Sequence, residues 1–296
     1  MHPLAFALFP LAAAALWGGM YVVSVWGFSR IPPVTLGFFR VTLGAATLLL
    51  VVRTRGHAPL TGADRRAAVV LGGWVALTIV TQFLGTAWTN ASQGSLLTML
   101  TPVFTVVLGW AVLDERLTPT KAVGMALAVV GTLVVLAGQY DLASALVSVP
   151  VNGVLALLVA SAAWAAYTVF GASFVRRQSA LVAATYSTAA AVPAVAVAAA
   201  VELAVLGRSL GSLPTDLSVV AAVAYLGVAS TAAAWYLWYK GLEYVDAGTV
   251  AVFFFAQPVV GTALGVVFLD EAVGTLFVAG GATMAVGIAL VSRARG

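Results

Sequence analysis

No cysteine occurs anywhere in the chain, which excludes disulfides and thiolate metal sites. Histidine is almost missing as well. His2 lies in the amino-terminal tail and His57 in a polar loop, so no apolar run holds an imidazole. A zinc or haem centre has no ligands to draw on there, and neither a metal nor any other cofactor is expected. Charge is equally scarce: 8% of the 296 residues are charged, whereas a soluble domain carries roughly 25%. With 62% hydrophobic residues, the outer solvent of this chain must be lipid. No Gly-x4-Gly-Lys-Ser/Thr run is present, so there is no ATP-driving machinery of that kind. Serine and threonine have no histidine partner within a span, so no catalytic residue is expected and an intramembrane enzyme is disfavoured. The formal charge of +4 does not point to nucleic acid, because Lys and Arg are dispersed over short loops instead of clustered on one face.

What the chain does have is a series of continuous apolar runs. In a bilayer every backbone N–H and C=O needs an internal partner, so spans are helices or closed barrels. Barrel strands alternate in polarity over about ten residues, whereas these runs continue for about 20, the length a helix needs to cross the hydrocarbon. The runs predict an all-α membrane protein with ten transmembrane helices at 4–26, 34–52, 67–86, 92–113, 119–138, 152–173, 180–203, 217–239, 247–269 and 273–292. The first run lacks a basic n-region and exceeds an h-region in length, so it reads as a helix and not as a signal peptide. Lys and Arg set the orientation. With the amino terminus inside, the cytoplasmic loops hold Arg53, Arg55, Arg65, Arg66, Arg116, Lys121, Arg176, Arg177, Lys240, Arg293 and Arg295. The outside loops hold only Arg30 and Arg208. Both termini are therefore expected in the cytoplasm of a cell inner (plasma) membrane protein.

A shift of 156 residues superposes the two halves of the chain. Gly85 falls on Gly241, Ala91 on Ala247, Pro102 on Pro258, Leu113-Asp114-Glu115 on Leu269-Asp270-Glu271, Gly124 on Gly280 and Gly131 on Gly287. Scattered Gly and Ala matches arise easily in this composition; a proline followed eleven residues later by Leu-Asp-Glu, twice and without a gap, does not. Residues 1–138 and 152–296 thus read as two five-helix repeats joined by a loop at 139–151. An odd number of spans inserts the second repeat upside down. Basic residues follow the first Leu-Asp-Glu and are missing after the second, at Ala272-Val273-Gly274, in agreement. Inverted repeats are a transporter design with the substrate near the midplane.

The segments Thr89-Asn90-Ala91 through Gly131 and Val245-Asp246-Ala247 through Gly287, together with Trp17-Gly18, resemble the EamA family of the drug/metabolite transporter superfamily. The resemblance implies ten helices around a central cavity, and export or exchange of small metabolites, often amino acids. Where many relatives carry an acid before the second proline, this chain has Gln257, which joins the candidate substrate-binding residues.

The other candidates come from residues out of place in hydrocarbon. Arg40 sits about 10 Å along the second span; it either faces a cavity and grips a carboxylate or snorkels to outer-leaflet headgroups. Trp74, Thr78, Thr81, Gln82, Gly85 and Thr89 share one helix face, either a cavity wall or an interhelical bonding stripe. Thr98, Thr101 and Thr105 flank Pro102, where they bond the helix backbone or a ligand. Pro102 and Pro258 read as paired kinks serving as hinges, or as static kinks. Trp17 and Tyr21, with Trp164 and Tyr167 as their counterparts, suit an aromatic box or plain core packing. Trp235, Tyr236, Trp238 and Tyr239 precede Lys240 and read as an interfacial belt, with Tyr236 a further cavity candidate. Asp114-Glu115 and Asp270-Glu271 read as solvated helix stops and turn caps, and Glu202 as reaching headgroups. The glycines 124, 131, 280 and 287 predict close helix contacts.

The function expected first is a secondary exporter, facilitator or exchanger of small metabolites by alternating access. An exporter of multiple cationic drugs ranks second, for want of a buried acid, and a lipid-carrier or scaffold subunit third. Its partners are a small-molecule substrate and membrane lipids, with no nucleic acid; both a monomer and a dimer fit the sequence.

Overall fold

The structure, a computed structural model, describes residues 5–56, 60–89, 91–139, 150–257 and 274–293. Every regular element among the described residues is helical. In chain order these are α1 (Leu8–Trp17), α2 (Met20–Phe28), α3 (Pro33–Thr54), α4 (Gly62–Trp88), α5 (Ala91–Thr98), α6 (Thr101–Leu113), α7 (Pro119–Gln139), α8 (Val151–Arg177), α9 (Ala180–Val205), α10 (Leu217–Ala224), a π-helical stretch Tyr225–Ala233, α11 (Ala234–Leu242), α12 (Ala247–Val252) and α13 (Thr275–Arg293). Among the described residues six helices are long and apolar enough to cross a membrane: Leu8–Phe28, Pro33–Thr54, Gly62–Trp88, Val151–Arg177, Ala180–Val205 and Leu217–Leu242. Large apolar side chains such as Leu50, Val69, Val197 and Leu217 are exposed on the outside of the bundle, as lipid-facing positions require.

Helix ends extend beyond the apolar runs because polar first turns are held by caps. α4 begins at Gly62, ahead of the expected 67, since Thr61 accepts a hydrogen bond from the Asp64 amide at 3.2 Å and its hydroxyl donates to the Asp64 carboxylate at 2.9 Å. Two expected spans are interrupted. The first changes from α1 to α2 at Gly18-Gly19, beside the Leu16 carbonyl, which accepts from the Tyr225 hydroxyl at 2.7 Å. The fourth stops at Thr98 and restarts at Thr101. Pro102 therefore occupies the first turn of α6, where its missing N–H has no helical partner to lose. It does not kink a continuous helix but stands just after a break between two; Pro258, the other expected hinge, lies outside the described residues. Among the described residues, Pro193 stands in the interior of an unbroken helix, α9.

Small residues set the closest crossings. A Cβ on Gly124 would meet the Gly287 carbonyl at 2.8 Å, and one on Gly131 would meet the Gly280 carbonyl at 2.6 Å. α7 and α13 thus pack antiparallel, backbone against backbone. A Cβ on Gly85 of α4 would meet the Gly153 carbonyl of α8 at 3.0 Å. In both crossings the lost side-chain volume is exchanged for dense main-chain contact, the favourable term when lipid and side chains are equally apolar.

Candidate functional site

Arg40 does not snorkel. It is 2% exposed, among the largest fully buried side chains in the molecule, and it points into the bundle. Its Nε donates to Thr231 Oγ1 at 2.8 Å and its Nη2 to the Ser230 carbonyl at 3.3 Å. Both acceptors lie in the π-helical stretch, where Thr231 Oγ1 in turn donates to the carbonyl of Leu226, five residues back, at 2.8 Å. The guanidinium carbon stands 5.6 Å from the Phe83 ring centroid and 5.8 Å from that of Trp235, within cation–π reach. Nη1 has no hydrogen-bond partner.

Arg40 lines a cavity with Trp17 and Met20 from the first span, Thr78, Ile79 and Gln82 from α4, Thr98 and Thr101 at the α5–α6 break, Ala160, Ser161 and Trp164 from α8, Trp235 from α11, and Phe254 and Gln257 beyond α12. The cavity volume is about 30 Å³, room for about one or two waters and not for a metabolite in this conformation. Its aromatic wall is a cluster. Trp17 meets Trp164 edge-on at 5.5 Å, Trp164 lies 5.3 Å from Trp235, and Phe254 lies 5.4 Å from Trp17. The Trp17 indole N–H donates to the Ser230 carbonyl at 2.8 Å, so that one carbonyl serves both Trp17 and Arg40. Trp164 Nε1 and Gln257 Nε2, like Arg40 Nη1, have no partner among the described residues. Unpaired buried donors are costly, and three of them belong to residues around one cavity.

Of the residues singled out from the sequence, Trp17, Arg40, Thr78, Gln82, Thr98, Thr101, Trp164 and Gln257 line this cavity. Tyr21 stands behind the wall: its hydroxyl hydrogen-bonds Thr98 Oγ1 at 2.5 Å and accepts from Gln82 Nε2 at 3.0 Å. Tyr167 lies one layer away, stacked on Tyr239 at 4.7 Å with its hydroxyl 3.1 Å from Ser187. Trp74 is half-buried and stacks on Phe170, and Tyr236 is half-buried at the edge of the core; neither lines the cavity. Two of the α4 threonines bond their own helix, Thr78 the Trp74 carbonyl and Thr81 the Leu77 carbonyl, and Thr89 just beyond it bonds the Gly85 carbonyl.

The interfacial-belt expectation fails for Trp235, Trp238 and Tyr239. They are 1%, 0% and 0% exposed and pack inward on α8, with Trp238 Nε1 donating to Thr168 Oγ1 at 3.0 Å and the Tyr239 hydroxyl to the Tyr167 carbonyl at 3.0 Å. Closeness to Lys240 in sequence said nothing of which way the helix face pointed. Glu202 likewise does not reach outward. Its carboxylate accepts from the Val34 and Thr35 amides at 2.9 and 2.7 Å and so caps α3, the helix that carries Arg40. Glu115 is no solvated stop: it accepts from the Ala247 and Gly248 amides at 2.9 and 3.1 Å. Asp270-Glu271 lies outside the described residues. Trp235, expected at the interface, lines the cavity instead, and Met20, Ile79, Ala160, Ser161 and Phe254 also line it without having been singled out; being apolar or small, they carry no signal that distinguishes them from ordinary core.

Long apolar helices around a cavity lined by a buried cation and aromatic rings mark a polytopic membrane protein. The family model described as "EamA-like transporter family" matches residues 4–137 and again 151–293. The chain belongs to that family. An "Uncharacterized transporter" of Archaeoglobus fulgidus is 27% identical over 281 residues, 94% of this chain and 95% of that protein. A "Probable amino-acid metabolite efflux pump" of Salmonella typhimurium is 26% identical over 295 residues, covering 94% of this chain and 91% of that protein. One solved crystal structure superposes with a TM-score of 0.76 at 23% identity, over 97% of this chain and 96% of the other; that likeness is one of fold.

Proposed function

We propose that the protein is a secondary carrier that exports small metabolites, amino acids and related acids among them, by alternating access at this cavity. One observation carries the reading: a fully buried guanidinium on the wall of an internal cavity, with Nη1 left without a partner. An intramembrane cation held this way is costly unless it has work to do. The Salmonella relative, named as a probable amino-acid metabolite efflux pump, supports the direction and the size of cargo.

In this reading ten spans form two inverted five-span repeats, 1–138 and 152–296, linked by 139–151, with both termini in the cytoplasm and the protein in the plasma membrane. The twofold match of the family model supports the repeat. So does the α7–α13 crossing, where glycines equivalent under the 156-residue shift meet crosswise, Gly124 with Gly287 and Gly131 with Gly280. Membrane lipids and a small-molecule substrate are its partners. Facilitated diffusion or exchange is favoured over proton antiport, since no Asp, Glu or His is among the described cavity-lining residues. The same observation disfavours an exporter of cationic drugs.

Efflux of labelled amino acids and carboxylic metabolites from proteoliposomes, run beside a lipid-scrambling assay, tests the proposal. Saturable efflux that survives collapse of the proton gradient is expected. Scrambling without metabolite efflux would overturn the carrier reading, and a strict need for the gradient would overturn facilitation.

A further inference from the structure

The cavity's charge is unbalanced. Arg40 is a permanent cation, and no carboxylate is among the described residues lining the site. Five of the described acids are engaged at helix ends instead. Glu202 caps α3, Glu115 caps α12, Glu243 accepts from the Ala180 amide at the start of α9, Asp246 pairs with Lys121, and Asp64 takes Arg177 and Gln178. Two further donors, Trp164 Nε1 and Gln257 Nε2, stand unpartnered on residues of the same wall. The site therefore offers one positive charge and a surplus of N–H groups, set in an apolar frame of Trp17, Trp235, Phe254 and Met20.

We propose that the cavity selects small monocarboxylates of net charge −1 with an apolar or aromatic body, in preference to zwitterions and cations of equal size. A monoanion neutralises the buried guanidinium, and its carboxylate takes the free N–H groups of Arg40 Nη1, Trp164 Nε1 and Gln257 Nε2 as the cavity widens to admit it. A zwitterion brings an ammonium that finds no carboxylate among the described lining residues and leaves the occupied cavity with a net positive charge in a low-dielectric surround. An amine adds a second cation beside the first. The body of the ligand rests on the indole and phenyl faces. Arg40 spends Nε and Nη2 on Thr231 and Ser230, so the grip at Arg40 is single-ended and the indole and amide donors complete it.

The inference rests on the carrier reading only where flux is concerned; binding tests it alone. Two matched series vary charge and little else: 3-phenylpropanoate, phenylalanine and phenethylamine; 4-methylpentanoate, leucine and 3-methylbutylamine. Calorimetric titration of the full chain in nanodiscs is expected to rank anion over zwitterion by about tenfold or more, the worth of one charge-assisted hydrogen bond, with no binding of the amines. Trp164→Phe keeps the ring, removes the N–H and should weaken the acids several-fold; Gln257→Leu should act likewise. These two variants serve if Arg40→Gln does not fold, which its melting curve reports. In proteoliposomes an anion carried alone distributes with the membrane potential, about 50-fold at 100 mV, and leucine does not. Equal or tighter binding of the zwitterions, or failure of both acids to bind, overturns the proposal while leaving a carrier of other cargo standing. Acid binding without flux supports the site and overturns the carrier reading.

Discussion

Lys121 Nζ lies 2.6 Å from Asp246 Oδ2, joining the first family-matched stretch to the second at the loops beside α7 and α12. The lysine side chain is 8% exposed and the carboxylate 29%, so the pair is shielded from water but not sealed. Asp246 does two jobs, because its other oxygen accepts from the Thr249 amide at 2.6 Å as the N-cap of α12. Asp246→Asn should keep the cap and lose the ion pair, whereas Asp246→Ala should lose both and cost about 1 kcal/mol more, the usual worth of a cap. Melting of the two variants in detergent separates the effects, and equal melting points would mean that the cap contributes nothing.

Glu115, beside this pair, supplies a pH dependence. Burial raises its carboxyl above the ordinary value of 4.5 against the pull of the Ala247 amide, with the nearby Asp246 charge acting in the same direction as burial. A carboxyl raised on folding favours the protonated form in the native state, so its contribution to stability is full below about 4.5 and is lost as pH rises through the folded value. Glu115→Gln should flatten the melting profile across that window. A wild-type profile no steeper than the variant's contradicts this placement.

Arg40 is expected to be indispensable to flux and dispensable to folding. Arg40→Ala should abolish efflux of carboxylate cargo while the protein still inserts and melts cooperatively. Arg40→Lys keeps the charge but loses the planar fork that serves Thr231 and Ser230 together, and should retain about a tenth of the activity or less. Proteoliposome efflux, normalised to inserted protein, measures both; wild-type rates in either variant would remove Arg40 from the site.

The α7–α13 crossing leaves no room for a side chain. Gly131→Leu would drive its Cβ into the Gly280 carbonyl and the Met284 backbone, at a cost of about 1–3 kcal/mol or more. Gly73, where a Cβ would meet no atom within 4 Å, should accept Ala without loss. A melting point for Gly131→Leu equal to wild type would contradict the crossing.

The inverted arrangement has a direct test, because the natural chain holds no cysteine to interfere. Arg116→Cys and Gly274→Cys, labelled separately with a membrane-impermeant maleimide, are expected to react from opposite sides of the bilayer. Labelling from one side alone would refute the inversion.

Composition and run length were enough to establish a helical membrane protein, because the hydrocarbon thickness and the backbone's need for internal hydrogen bonds act on any chain this apolar. Arg40, Gln82 and Trp164 could be picked out from the sequence for the same reason: polar and amphipathic groups in hydrocarbon need a partner. Only the tertiary structure decided that Gln82 finds Tyr21, that Arg40 finds Thr231 and Ser230, and that the Trp164 indole N–H is left free among the described residues. Trp235 and Tyr236 are adjacent in the chain, yet one lines the cavity and the other stands at the edge of the core. Glu202 and Glu115 turned out to be caps of distant helices, since an N-terminus with unpaired amides attracts whichever carboxylate the packing brings near. Helical periodicity assigns a residue to a face, but which face meets water, lipid or another helix is settled when the helices pack.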